Sequence, residues 1–423
     1  MRVLVIGSGA REHAITAALL RDPSVQQIHV APGNAGIAQL APCLPVDVTD
    51  AAAIADLAVE LDVDLVVIGP EVPLMAGAAN ELESRGIPCF GPHKEAALIE
   101  GSKAFCKEVM AAANIPTAMA KVCTSMEQVT EALDTFGSPF VVKDDGLAAG
   151  KGVVVTQDRS EALEHARACL VSGNKLVIEE FLDGPEVSLF GISDGTTVVA
   201  MQPAQDFKRV GEGDTGPNTG GMGAYSPLPW VSADVVAEVT ERVLQPMATA
   251  LKNRGTPFVG VLYAGLAMTS RGVRVIEFNA RFGDPETQVV LDQLETPLGE
   301  FLLAAATGQL THFSPLRWRG GYSVTVVIAA EGYPAAPRTG DLISGIELAE
   351  ALGNVTVYHA GTQLKDSTLV TSGGRVLSIT AHADTLAEAR NKATEGASLI
   401  AIAGSHFRGD IAQRAADGRI SFN

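Results

Sequence analysis

Apolar and polar positions follow two different rhythms along the chain. Over residues 1–100, short and almost wholly apolar runs (2–7, 28–32, 65–70 and 88–92) alternate with amphipathic stretches from about Glu12, around 50–60 and again after 70. Strands that are apolar on both faces, separated by helices, predict a parallel sheet covered on both sides. Ligands of such sheets collect beyond the carboxyl ends of the strands. The segments there are Gly7-Ser8-Gly9, Pro32-Gly33-Asn34-Ala35-Gly36 and Gly69-Pro70-Glu71.

From about residue 102 the rhythm changes. A helix starting near Ser102 and ending before Ile115-Pro116, strands at 140–143 and 153–156 around a glycine-rich loop, and a helix at 160–171 are followed by runs at 176–182 and 186–193, which read as antiparallel neighbours. Six glycines fall within residues 211–223, a density that predicts an irregular, mobile loop over a site. A long helix at about 232–253, strands at 259–269 and 273–281 and a helix from about 284 complete this region. Strands at 322–330, 355–360 and 376–383 and a helix at 385–402 form a last unit from about 315. The parse is 1–101, 102–314 and 315–423, with neither internal repeats nor low-complexity tracts.

Composition narrows the class. The 423 residues are 47% hydrophobic and 19% charged, as in a globular protein, and 31 basic residues against 49 acidic ones give a net charge of −18. That balance argues against binding nucleic acid through a broad basic face, so an anionic ligand needs a local positive site. Cys43, Cys89, Cys106, Cys123 and Cys169 are scattered without a metal-ligand spacing and read as packing residues of a reduced compartment. The apolar start is broken by glycine and charge after four residues, and no apolar run reaches the length of a membrane span, so a cytoplasmic location without membrane contact is expected.

Individual motifs leave alternatives open. Gly7-x-Gly9 sits between a strand and a helix, but Glu12 occupies the third position of a dinucleotide fingerprint, where a carboxylate would meet the pyrophosphate; a plain turn or a site for a substrate phosphate and ribose fits better. Gly146 to Gly152 lacks the Walker spacing and the following Ser or Thr, yet a hairpin with backbone N–H groups and Lys151 could fold over phosphates. Lys143 closes an apolar strand, where it either snorkels or holds an anion. A two-residue period puts Glu277, Asn279 and Arg281 on one face of their strand, with Ile276 and Phe278 opposite. That row is either a solvated face or a set of hard oxygen ligands for Mg²⁺ with a cation for phosphate or carboxylate. Asp206-Phe207-Lys208-Arg209 is a charged turn before the glycine-rich segment or an anion-orienting cluster. His13, His93 and His312 share no metal spacing and read as core or surface histidines.

Taken in order, GNAG (33–36), GPEVPL (69–74), EGSKAF (100–105), VVKDDGLAAGKGV (141–153), IEEFLDGPEVS (178–188), the segment 205–227, IEFNARFGDPETQ (276–288) and VTSGGRVL (370–377) resemble the ATP-grasp ligases. They most resemble the branch that joins glycine to 5-phosphoribosylamine in purine biosynthesis. The resemblance implies an α/β and α+β multidomain fold: an N-terminal parallel α/β (Rossmann-like) domain, an ATP-grasp core with a lid subdomain at about 116–185, and a small C-terminal α+β domain. It implies ATP and Mg²⁺, with Mn²⁺ as an alternative metal, and a monomer that transiently contacts neighbouring enzymes of its pathway. By the same likeness, Lys103, Lys143, Lys151 and Gly152 would contact nucleotide phosphates. Glu179, Glu180, Phe181 and Leu182 would form the adenine-side hinge, and Glu186 would meet the ribose. Arg209 and Asn218 would approach the γ-phosphate, with Glu277 and Asn279 on the metal. Asp206, Lys208 and Arg281 would serve the reacting groups, with Gly33, Asn34, Asp214, Thr219, Gly220 and Asp284 around the two substrates.

Two positions depart from the family pattern. Asp144 stands beside Lys143 where alanine is expected, and strand alternation turns it away from any phosphate that Lys143 faces. Phe207 stands where histidine is common; it has no proton to exchange, but the charges on either side remain. The rival readings are another ATP-grasp ligase or carboxylase, a nicotinamide-dependent oxidoreductase using Gly7-x-Gly9, and a nucleotide-binding module without turnover.

Overall fold

The computed structural model describes residues 1–146 and 152–420. The N-terminal strands form the expected parallel sheet, in the order 27–32, 2–7, 65–68, 89–90. Val3 through Ile6 and Leu65 through Val67 are completely buried, as strands covered on both faces must be. The register pairs Gly7 with Pro32 and Ile6 with Ile68, so the three loops singled out above emerge side by side. They are stitched together where they leave the sheet: Gly33 N–H donates to Gly7 O (3.0 Å) and Gly69 N–H to Ile6 O (2.9 Å).

Two antiparallel sheets follow. One, ordered 120–123, 176–179, 140–144, 153–156, packs helices Met126–Phe136 and Arg159–Val171 over a core of its own built on Val129, Leu133, Val142, Ala162 and Ile178. The other is ordered 198–200, 186–194, 259–269, 272–279. The runs at 176–182 and 186–193 are therefore not neighbours, contrary to the sequence reading. The strand Leu176–Glu179 pairs with 120–123 and 140–144, whereas Glu186–Asp194 pairs with 198–200 and 259–269. The reason lies at Asp183-Gly184-Pro185. Gly184 is left-handed (φ 88°) and so close to the neighbouring strand that a Cβ would stand 2.0 Å from Met268 O; Pro185 O accepts from Met268 N–H (3.0 Å). The chain is captured by the second sheet at this point and cannot fold back along the first.

The glycine-rich segment also differs from expectation. Arg209–Gly211 and Thr215–Asn218 pair as an antiparallel ribbon across a tight turn at Glu212–Asp214, so the segment does form a regular element. Gly213 (φ 63°), Asp214 (φ 55°) and Gly216 (φ 79°) take the left-handed conformations that the tip requires. The helix expected at 232–253 runs from Ala233 to Asn253 with a π-helical turn at Thr240–Leu244.

A third sheet crosses from the middle of the chain to its end, in the order 205–206, 223–226, 322–329, 375–383, 355–359. It fixes Asp206 and the base of the ribbon to the C-terminal strands. Among the described residues, no helix is long and apolar enough to cross a membrane, and all five cysteines are free, with Cys106, Cys123 and Cys169 buried.

Gly184→Ala should cost about 1–3 kcal/mol through backbone strain and the contact with Met268 O. Chemical denaturation reads this directly, and an unchanged midpoint would mean that the crossover does not depend on the close approach.

Candidate functional site

The first turn of the parallel sheet excludes a dinucleotide. Glu12, 1% exposed, folds back to cap its own helix, with Oε2 accepting from Gly9 N–H (2.6 Å) and Oε1 from Arg11 Nε (2.6 Å). A carboxylate thus occupies the place a pyrophosphate would need. Arg11 reaches on to Phe282 O (3.0 Å), and its backbone N–H faces Asp284 Oδ2 (3.3 Å), which ties this turn to loop 281–285. Asn34 is an interdomain clasp: its amide donates to Ser8 O (2.8 Å) and His359 O (2.7 Å), while its oxygen accepts from Gly36 and Ile37 N–H (both 2.9 Å).

Arg281 leaves its strand and joins this corner, pairing with Glu71 (3.2 Å) and Glu100 (2.8 Å). Burial raises the Glu71 carboxyl, but Arg281 and Arg11 outweigh it and hold the group below its ordinary range; at Glu100 burial wins and the group is raised. Asp284 is pushed up by burial and pulled down further by Arg375 and Arg11, and ends low. Arg375 Nη1 lies 3.5 Å from the Asp284 carboxylate and donates to Asp284 O (2.7 Å) and Gly220 O (2.6 Å).

The second corner lies between the first antiparallel sheet and the strand Gly272–Asn279. Lys143 is 4% exposed, yet its ammonium pairs with Glu179 (2.9 Å) and donates to Ile276 O (3.1 Å), one residue before Glu277. Lys107 takes the other oxygen of Glu179 (3.1 Å). Lys103, one helical turn earlier, donates to Gly146 O (2.9 Å); burial lowers its pKa against the opposing pull of Glu277. Asp144 points elsewhere, accepting from Asn174 (2.9 Å), as strand alternation requires. Glu180 accepts from Met119 N–H (3.0 Å) and pairs with Arg271 (2.9 Å), while Phe181 is exposed and Leu182 half-buried on the way to the second sheet. Lys151 lies outside the described residues. Gly152 is buried, and its carbonyl accepts from Asp144 N–H (2.7 Å).

Lys208 joins the corners. Its ammonium is 3.2 Å from Glu186 and 3.6 Å from Glu277. Burial lowers its pKa, but Glu186, Asp206 and Glu277 outweigh that and hold it well above the ordinary lysine value. Glu277 is raised by burial and lowered further by Lys208, Lys143 and Lys103, so it stays ionised. Asp206, raised by burial against Lys208 and also by Glu286, Glu186 and Glu277, titrates at about 7. Thr219 N–H and Oγ1 both donate to Lys208 O (2.7 and 2.8 Å), and Gly220 N–H donates to Tyr333 Oη (3.0 Å). Arg209 and Asn218 face each other across the ribbon, and Asp214 at its tip pairs with Arg408 (2.8 Å).

Among the described residues, Lys103, Lys143, Glu179, Glu186, Asp206, Lys208 and Glu277 are linked to one another by ion pairs and close electrostatic contact, and Asp214 lies apart at the ribbon tip. Glu71, Glu100 and Arg375 fell inside quoted motifs without being given a role, whereas Lys107 and Arg408 were not singled out at all; Lys107 left a local signal as a second lysine four residues from Lys103 on the same helix face. Among the described residues no three His, Cys, Asp or Glu side chains converge as a metal site. Glu277 and Asn279 nonetheless supply a carboxylate and an amide oxygen two residues apart on one strand, a donor set suited to Mg²⁺, which is commonly held by one or two carboxylates plus substrate phosphates and water.

The chain matches the phosphoribosylglycinamide synthetase N domain over residues 1–100, its ATP-grasp (A) domain over 101–287 and its C domain over 323–414. It is 57% identical to the phosphoribosylamine–glycine ligase of Streptomyces coelicolor over 418 residues, 98% of this chain and 100% of that one. Its fold is similar to that of the phosphoribosylamine–glycine ligase of Thermotoga maritima, with a TM-score of 0.84 at 33% identity, over 97% of this chain and 100% of that one. It also shares its fold with the biotin carboxylase domain of Hydrogenobacter thermophilus 2-oxoglutarate carboxylase, with a TM-score of 0.71 at 18% identity, over 99% of this chain and 96% of that one.

Folded Asp206 keeps its proton to about pH 7, but the unfolded group releases it near 3.8. Its ionisation therefore opposes folding increasingly as pH rises through that window. Asp206→Asn should gain roughly 2–4 °C in Tm relative to wild type between acidic and neutral pH. A Tm difference that stays constant with pH would contradict the shift.

Proposed function

The chain belongs to the phosphoribosylglycinamide synthetase family, and from that premise we infer that it joins glycine to 5-phosphoribosylamine through glycyl phosphate. The ligation uses ATP and yields glycinamide ribonucleotide, ADP and phosphate in purine biosynthesis. The observation that carries the mechanistic reading is the convergence of Lys103, Lys143 and Lys208 on Glu277, because it makes a local cationic field in a chain of net charge −18.

A carboxylate is a poor acyl donor. In the proposed first step a glycine carboxylate oxygen attacks the γ-phosphorus of ATP; the new O–P bond forms as the bond to the β-phosphate bridging oxygen breaks, and ADP leaves with that electron pair. Lys143 and Lys103 would contact the phosphates, and Arg209 and Asn218 the γ-phosphate end; Lys151, outside the described residues, is assigned to the phosphates by the family likeness alone. Glu179 through Leu182 carry the adenine side, and Glu186 the ribose. Glu277 and Asn279 would hold Mg²⁺, which when bound neutralises charge on the phosphoryl oxygens. Arg281 and Lys208 orient the carboxylate and, when the amine attacks, steady the negative charge that develops on the acyl oxygen. In the second step the amine nitrogen of phosphoribosylamine attacks the acyl carbon, the C–O bond breaks and phosphate departs. Asp206, with a pKa near 7, is matched to accept the amine proton. Gly33 and Asn34 of the first domain, with Thr219, Gly220 and Asp284, would enclose the two substrates, and Asp214, held by Arg408 at the ribbon tip, would lie at the rim. The anhydride is sensitive to water, so a closed ribbon would protect it.

The finer readings that go with this proposal are domain limits at 1–101, 102–314 and 315–423, with a lid at 116–185. They also include Mn²⁺ as a substitute metal, a cytoplasmic monomer, and transient contacts that deliver the unstable amine.

ADP formation should require both glycine and phosphoribosylamine, and glycine labelled with ¹⁸O in its carboxylate should pass one labelled oxygen to phosphate. ADP release independent of glycine would reject the ligase reading, and unlabelled phosphate would reject glycyl phosphate. Glu277→Ala should lower kcat by about 10³-fold or more through lost stabilisation of the transferring phosphoryl group. Turnover at the wild-type rate with saturating Mg²⁺ would remove Glu277 from the metal.

A further inference from the structure

Arg408 lies outside every motif discussed above, yet it is the largest of the fully buried side chains, 1% exposed. Its Nε and Nη2 form a fork with Asp410 (both 2.8 Å), while Nη1 donates to Arg209 O (2.9 Å) and to Asp214 Oδ1 (2.8 Å). Its guanidinium also stacks over the Phe207 ring, with Cζ 5.2 Å from the centroid. Two backbone contacts reinforce the clasp: Gly213 N–H donates to Asp410 (2.8 Å) and Gly409 N–H to Glu212 (3.0 Å). The segment carrying Arg408 is itself anchored, because His406 and Ala329 exchange backbone hydrogen bonds on the central strand of the third sheet.

Resting on the functional reading above, we propose that Arg408 is a positioning residue for the ligation, setting Asp206 and Lys208 against Glu277 by holding the opposite side of their segment. Side chains alternate along an extended chain. Phe207 stacks beneath Arg408, and Arg209 gives it a backbone carbonyl, while Lys208 reaches Glu186 and Glu277 and Asp206 shares their field. The planar guanidinium grips one edge of the ribbon through the Arg209 carbonyl and its tip through Asp214, and the position of Lys208 follows. Phe207 therefore has a use in this chain that involves no proton: it is the ring on which the guanidinium rests. The C-terminal unit thereby contributes to catalytic geometry without touching a substrate.

Two variants test this without leaving a bare buried charge. Arg408→Lys keeps the cation but cannot span Asp410, Arg209 O and Asp214 together. Phe207→Leu removes the ring and leaves the ion pairs. Glycine-dependent turnover of the wild type is measured first; its absence would overturn the functional reading and this inference with it. With wild-type activity in hand, both variants should lose about tenfold or more in kcat while ADP affinity, measured by calorimetry, stays within about twofold, because the clasp contacts Phe207, Arg209, Asp214 and Asp410 and none of residues 179–182. Variants with wild-type kcat would overturn the inference alone, as would a parallel loss of ADP affinity, which marks a general structural defect.

Discussion

The arrangement depends on the pairing of buried lysines with carboxylates drawn from other elements. An isolated charge moved out of water costs several kcal/mol, and a buried lysine persists only when partners are supplied. Glu179 supplies them for Lys143 and Lys107 at once, and the remaining reach of Lys143 goes to Ile276 O. Through that ammonium a sheet with its own small core is tied to the strand that carries Glu277 and Asn279. Without Glu179, Lys143 would lose its direct ion pair and keep only the longer-range attraction of Glu277.

The same principle organises the other end of the site. Lys208 stands among Glu186, Glu277 and Asp206, and the competition among these groups divides their behaviour: Glu277 stays ionised while Asp206 holds its proton to about neutrality. Two carboxylates close together, pushed in opposite directions, make one suited to a cation and the other to a proton. Arg281 plays the corresponding part for Glu71 and Glu100 at the corner where the N-terminal loops meet. A chain with an acidic excess can therefore keep its cations at depth by setting each against carboxylates from other elements.

Much of this was legible in the sequence because it is periodic. The wholly apolar strands 2–7 and 65–68 announced a two-sided parallel sheet, and alternation along 275–281 placed Glu277 beside Asn279. Alternation also put Asp144 opposite Lys143. What could not be read is what periodicity does not encode. The change of sheet at Gly184 depends on a backbone contact with Met268, 84 residues away in sequence. The ribbon at 209–218 is regular because glycines adopt left-handed conformations at its tip and Arg408 grips it from the far end of the chain. Glu12 was seen as an obstacle to a pyrophosphate, but its capping of Gly9 is a matter of side-chain direction. The order of the motifs along the chain carried the family likeness, and each glycine motif alone carried little.

The proposed ligation requires nucleotide phosphates to bind between Lys143 and the strand bearing Glu277 and Asn279. A crystal structure with a non-hydrolysable ATP analogue and Mn²⁺, read by anomalous scattering, tests it most directly. The expected result is a manganese peak bonded to oxygens of Glu277 and Asn279 and to the analogue's phosphates, with the Lys143 ammonium on the same phosphates. A nucleotide bound elsewhere, or a metal that avoids both side chains, would contradict it.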